Sequence, residues 1–246
     1  AVTLAVCAGY LFLKKQKPDF RLGQGAGSIL GKVLLVGLSP LGLTFSPNIT
    51  LILVNKSAAL SGGEFAVACY AAVSYVSCVA LLLLQGVSDG CQPLMSRSFG
   101  ENDETGAKRV RNYGFVLAAV TALVCCVALF LVRNHIAGLF GASEEVSAQV
   151  ANILPLFSIG YLFASVSRMT SAYFYATNKT GRAYILIFGE PAALLVFLLF
   201  MPQLLGIWGT WLSVPLSQIV IAAVSALFLF LFRTKKPRPR ESRETV

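Results

Sequence analysis

Residues 64–99 read EFAVACYAAVSYVSCVALLLLQGVSDGCQPLMSRSF. After Glu64 the stretch stays uncharged and mostly apolar until Asp89, longer than the roughly 20 residues a helix needs to cross a bilayer. Within it Tyr70, Ser74, Ser77, Leu81, Gln85, Ser88, Gln92 and Ser96 recur at steps of three or four. That spacing defines one face of a helix, and the face is mostly polar. Val73, Val76, Val79, Ala80, Leu82 and Leu83 occupy the opposite side. A membrane helix with one polar face must turn it toward other helices or toward water. The stretch therefore predicts a bundle of spanning helices and not a solitary anchor.

The rest of the chain repeats this pattern. Of its 246 residues 56% are hydrophobic and 13% charged, against roughly 25% charged in a soluble domain. Six spans are predicted: Ser28 to Val54, Glu64 to Phe99 bent at Pro93, Tyr113 to Val132, Glu144 to Ala176, Ala183 to Met201, and Leu205 to Phe232. Residues 1–13 form an apolar run too short to cross, read as the end of a preceding helix in a longer protein. The domains expected are thus 1–24, that end and a linker; 25–232, a six-helix lobe; and 233–246, a basic tail.

Charge orders these spans. Lys and Arg cluster at Lys14 to Arg21, Arg97 to Arg111, Lys179 to Arg182 and Arg233 to Arg243, in every second gap. Basic loops stay cytoplasmic during insertion, so a multi-pass protein of the inner (plasma) membrane is expected, with both ends of this segment on the cytoplasmic side. Trp208 and Trp211 then fall near the outer interface, where amphipathic rings are favoured. The net charge of +9 flanks apolar spans and lines no folded basic stripe, which points to anionic lipid and away from nucleic acid. The six cysteines lie in or beside apolar runs without metal-ligand spacing, so buried thiols are expected and a metal site is not. No pattern of catalytic residues such as Gly-x-Ser-x-Gly or His-Glu-x-x-His occurs, so an enzyme is not expected. Prolines 40, 47, 93, 155, 191 and 215 fall inside spans; each frees a backbone carbonyl that neighbours or water must satisfy.

Two carboxylates stand in or beside apolar helix, where they are costly and tend to mark ion paths or cation sites. Asp89 lies one turn from both Gln85 and Gln92. It reads either as a functional carboxylate or as a hydrated one near the interface, paired with Arg97 or Arg168. Glu190 lies nine residues beyond Gly181, roughly 13 Å deep at helical rise, which favours function. Arg168 is a partner for either carboxylate or a side chain that snorkels to the interface. Serine hydroxyls in such stripes commonly only glue helices together; the bulkier amides Gln85 and Gln92 favour a wet cavity. Tyr70, Ser74 and Tyr161 complete the candidate cavity wall, with Tyr161 sharing a face with Ser158 and Ser165. Aromatic rings there suit cationic organic molecules, although packing is their commoner use.

The segment Gln85-Gly86-Val87-Ser88-Asp89-Gly90-Cys91-Gln92-Pro93-Leu94-Met95-Ser96, then Phe99-Gly100 and Lys108-Arg109-Val110, resembles the eighth transmembrane helix and following loop of the multidrug and toxic compound extrusion (MATE) family. Leu139-Phe140 with Glu144-Glu145, Tyr173-Phe174-Tyr175-Ala176, and Gly206-Ile207-Trp208-Gly209-Thr210-Trp211 with Pro215 are similar to that family in the same order. The resemblance runs from about Gly25 to Phe232. It implies one lobe of a two-lobed, twelve-helix transporter, with the N-terminal lobe as its partner. It also implies export of small organic cations and drugs in exchange for sodium ions or protons, with no other cofactor. The chain departs from the family pattern at Gly189-Glu190, where many members carry an Arg-Gln or similar pair, and its first complete span lacks the acidic residue of some sodium-coupled members. A lipid-linked oligosaccharide flippase of the related superfamily and a non-catalytic assembly subunit remain the alternatives.

Overall fold

Apolar runs of this length leave their backbone N–H groups only their own carbonyls as partners in hydrocarbon, so they wind into helices. The computed structural model describes residues 26–231, and these are helical with no strand among them. The predicted run at 1–13, the linker to residue 24, the tail 233–246 and Cys7 lie outside the described residues. Two compact units meet between Leu35 and Val36. Of the first, residues 26–35 are helical; everything below concerns the second.

The helices are α1 (Ala26–Gly100), α2 (Glu104–Ile136), α3 (Glu144–Ala176), α4 (Thr180–Leu205) and α5 (Ile207–Leu231). All five are long and apolar enough to cross a membrane. The chain is an all-α, multi-pass membrane protein.

The first two predicted spans are one element, interrupted only at Gly63, whose φ of 64° and ψ of −158° are open to glycine and strained for other residues. This single residue reverses the chain. Ser57 shares a 2.9 Å hydrogen bond with Thr210, and Tyr70 stacks on the neighbouring Trp211 at 6.1 Å between ring centroids. In a straight helix Ser57 and Tyr70 would stand about 20 Å apart. Two arms, residues 36–62 and 64–100, therefore lie side by side, and the polar gap expected at 55–63 is almost entirely helix.

α2 begins nine residues before the predicted Tyr113. Asp103 caps it, accepting from the Gly106 N–H at 2.8 Å, and Glu104 pairs with Lys108 at 3.6 Å one turn on. Such a start depends on backbone donors and not on hydropathy. α3 is capped likewise by Ser143, which accepts from Val146 N–H at 3.3 Å, with Glu144 and Glu145 in the favourable first turn. α3 is the central helix, packed against α2, α4 and α5 and buried on most of its surface. α5 crosses it closely at Gly160, where a Cβ would meet the Gln218 side chain and then the Pro215 backbone at 3.5 Å.

Trp211 corrects an expectation. It is 1% exposed, packed with Tyr70 and Phe157, because α5 turns that face toward both α1 and α3. Trp208, three residues earlier, is the exposed ring.

Candidate functional site

The fold-back at Gly63 and the central course of α3 frame a partly open cavity of about 510 Å³, a size usual for small-molecule sites. One wall is the second arm of α1, from Tyr70 through Ser74, Ser77 and Gln85 to Asp89. α3 supplies Phe157, Tyr161 and Arg168, and α4 supplies Glu190. Seven of the eight residues singled out in the sequence line this one space; Gln92 does not. It keeps the helical step but lies a turn beyond Asp89, where the cavity has ended. Ser88 turns inward too, buried and bonded to the Leu84 carbonyl at 3.2 Å.

The cavity has two chemically distinct ends. At one, Tyr70 and Phe157 pack on Trp211, with centroid separations of 6.1 and 6.3 Å. At the other, a chain of hydrogen bonds joins the two helices. Arg168 Nη1 donates to Gln85 Oε1 at 2.8 Å, and Gln85 Nε2 donates to Asp89 Oδ1, also at 2.8 Å. The Tyr175 hydroxyl donates to the same carboxylate oxygen at 3.4 Å. Gln85 thus stands between the guanidinium and Asp89, and among the described residues no direct ion pair joins them. Arg97, the other partner considered for Asp89, is bonded to Glu101 at 3.0 Å. Arg168 does not snorkel; it is 8% exposed, and its Nε–H is buried without a partner.

Glu190 reaches the cavity from α4, directly before Pro191. Together with Arg168 it also borders a second, much smaller space of about 10 Å³, lined further by Ser46, Ser167 and Ser171 and by the apolar Pro47, Leu186 and Ile187. That is roughly room for one water molecule. Ser158 and Ser165, grouped with Tyr161 in the sequence, bond to the carbonyls of Leu154 and Leu162. Tyr161 instead bonds across helices to Ser77 at 2.7 Å. Ser158 and Ser165 thus satisfy their hydroxyls within their own helix, and Ser77, through Tyr161, is the serine on this wall whose bond crosses between helices.

Lining residues that the sequence pattern did not mark include Asn48 and Thr50 on the first arm of α1, Phe157 on α3 and Gln218 on α5. Asn48 and Gln218 are amides inside apolar runs, so the signal that marked Gln85 was present for both. Gln218 is 5% exposed, and its Oε1 is buried without a partner.

Away from the cavity, basic side chains gather over the aromatic end of α3. The Arg111 guanidinium lies 4.8 Å from the Tyr173 ring centroid and the Lys179 ammonium 5.9 Å. Burial first, and then neighbouring Arg182, push the Lys179 ammonium below its ordinary value. Among the described residues no group of His, Cys, Asp or Glu could hold a metal ion.

The MatE family model matches residues 37–196. The chain is 22% identical over 217 residues to the multidrug export protein MepA of Staphylococcus aureus (strain MSSA476), covering 88% of this chain and 48% of that protein. It thus spans about half the length of the curated relatives it matches. Its fold is similar to that of a MOP superfamily transporter from Pyrococcus furiosus, whose report infers a different function from the reversed polarity of its binding pocket. The TM-score is 0.83 at 21% identity, over 94% of this chain and 53% of that one. The outward-facing conformation of a multidrug resistance MATE family transporter gives a TM-score of 0.81, again at 21% identity and over the same shares.

Proposed function

Because the chain belongs to the MatE family, we propose that it forms one lobe of a secondary antiporter that exports small organic cations in exchange for protons or sodium ions. The partner is a second lobe of the same transporter, and the setting is the plasma membrane. The observation that carries this reading is the placement of Asp89 and Glu190 on the wall of one cavity. Acidic side chains at membrane depth are expensive, and a cavity that carries two of them favours a positive guest. Tyr70, Phe157 and Tyr161 offer ring faces to the same guest, and a cation over such a face is attracted by its quadrupole.

The chemistry of exchange follows from competition. A carboxylate that holds a cationic drug in one conformer and a proton or sodium ion in the other couples the two flows, as the two lobes rock around the shared cavity. The flippase alternative needs several basic side chains for a pyrophosphate group, and among the described residues Arg168 is the one basic residue lining this cavity.

Replacing Asp89 or Glu190 by Ala in the intact reading frame should lower efflux of a cationic dye at least tenfold at equal expression. Wild-type efflux rates in both variants would remove the carboxylates from the mechanism. Efflux into vesicles with an imposed pH gradient, compared with an imposed sodium gradient, identifies the coupling ion.

A further inference from the structure

The charges lining the cavity do not balance. Among the described residues, Asp89 and Glu190 supply two formal negative charges to the lining and Arg168 one positive, and the other lining side chains are uncharged. The wall therefore carries one surplus negative charge. Arg168 is no mobile lid over this site. It is 8% exposed, Nη1 is held by Gln85 at 2.8 Å, and Nε is enclosed without a partner. A guanidinium stays protonated throughout the physiological range, so the positive charge is permanent and fixed in place on the central helix.

We propose that Arg168 sets the charge number of the guest, so that the cavity takes monocations and rejects dications of the same shape. The inference rests on the cation-export reading and adds a selectivity to it. A monocation settles against the surplus carboxylate and leaves the wall neutral. A dication of equal size brings a second charge, and the carboxylate that would meet it is already compensated by the guanidinium through Gln85. Discrimination of this kind comes from a repulsive element built against the wrong guest. Desolvating an unmatched charge is what makes such an element effective.

Ethidium and propidium share one phenanthridinium ring system and carry one and two positive charges; propidium's second charge lies on a longer N-alkyl arm, so the readout is the change in their affinity ratio between variants. Their binding to the purified intact protein is read by fluorescence anisotropy. The wild type should favour ethidium. Arg168→Gln should move the affinity ratio toward propidium by about tenfold, the scale of one unit charge at close range in a partly wet cavity. Arg168→Lys keeps the charge and should keep the wild-type ratio. Charges from the second lobe act equally on every variant, so the change in ratio reports on residue 168. An Arg168→Gln protein that binds ethidium with an unmoved ratio overturns the proposal. Should that variant misfold, Glu190→Gln serves instead, and its propidium affinity should fall more than its ethidium affinity; equal losses overturn the proposal. A wild type that binds neither dye sinks the cation reading itself, a result distinct from an unmoved ratio.

Discussion

Helices α2 and α3 are adjacent and equally long, 33 residues each, yet they bury opposite amounts of themselves. The most apolar window of α2 has mean hydropathy 3.0 and is 11% buried; that of α3 has 1.6 and is 61% buried. In water the order would be reversed. In a bilayer the most apolar helix loses nothing by facing hydrocarbon, whereas serines, tyrosines and an arginine must find partners inside the protein. α2 accordingly buries little more than a strip of small residues, Gly114, Ala118, Ala122 and Cys125, and exposes Val116, Val120, Leu123 and Val127. α3 is enclosed on nearly every side. The helix that looks more like a core by composition is the wrapper, and the polar one is the core.

The largest test of that contrast is Gly160→Leu on α3. Its Cβ would overlap the Gln218 side chain beside the Pro215 backbone, and overpacking of this severity costs upward of about 3 kcal/mol. Loss of the monodisperse peak in size-exclusion chromatography is expected; a well-folded variant would show that α3 and α5 stand further apart. Next comes Val120→Arg on the outward face of α2. A central arginine raises the free energy of insertion by about 2.5–3.5 kcal/mol, so an insertion assay should show a clear drop. Efficient insertion would mean that this face meets protein or water. The smallest is Tyr161→Phe, which removes the bond to Ser77. Interhelical bonds of this type average about 0.6 kcal/mol, so the expected fall in thermal midpoint is a few degrees at most. A large fall would assign Tyr161 a structural part beyond that bond.

Much of the site was legible because its residues break the rule of their surroundings. Gln85, Asp89, Arg168 and Glu190 are costly where they stand, and the helical step sorts Tyr70, Ser74 and Gln85 onto one face. Gln92 shows the limit of that signal, since periodicity says which face a residue occupies and not how far a cavity extends along it. Trp211 shows another limit. Its type suits an interface, but Tyr70 and Phe157 lie opposite it in the fold, hundreds of atoms away along the chain. Asn48 and Gln218 are amides in apolar runs as Gln85 is, but neither stands one turn from a carboxylate in sequence. The link from Arg168 through Gln85 to Asp89 spans 83 residues between its first two members, and no local pattern records such a distance.

Helical class, membrane residence and the candidate charged residues follow from the chain alone, because hydropathy and the cost of burying charge act residue by residue. The reversal at Gly63, the burial of Trp211 and the assembly of Asp89, Glu190 and Arg168 around one space belong to the tertiary structure. They depend on which helix lies beside which, and that is decided by close packing of surfaces far apart in sequence.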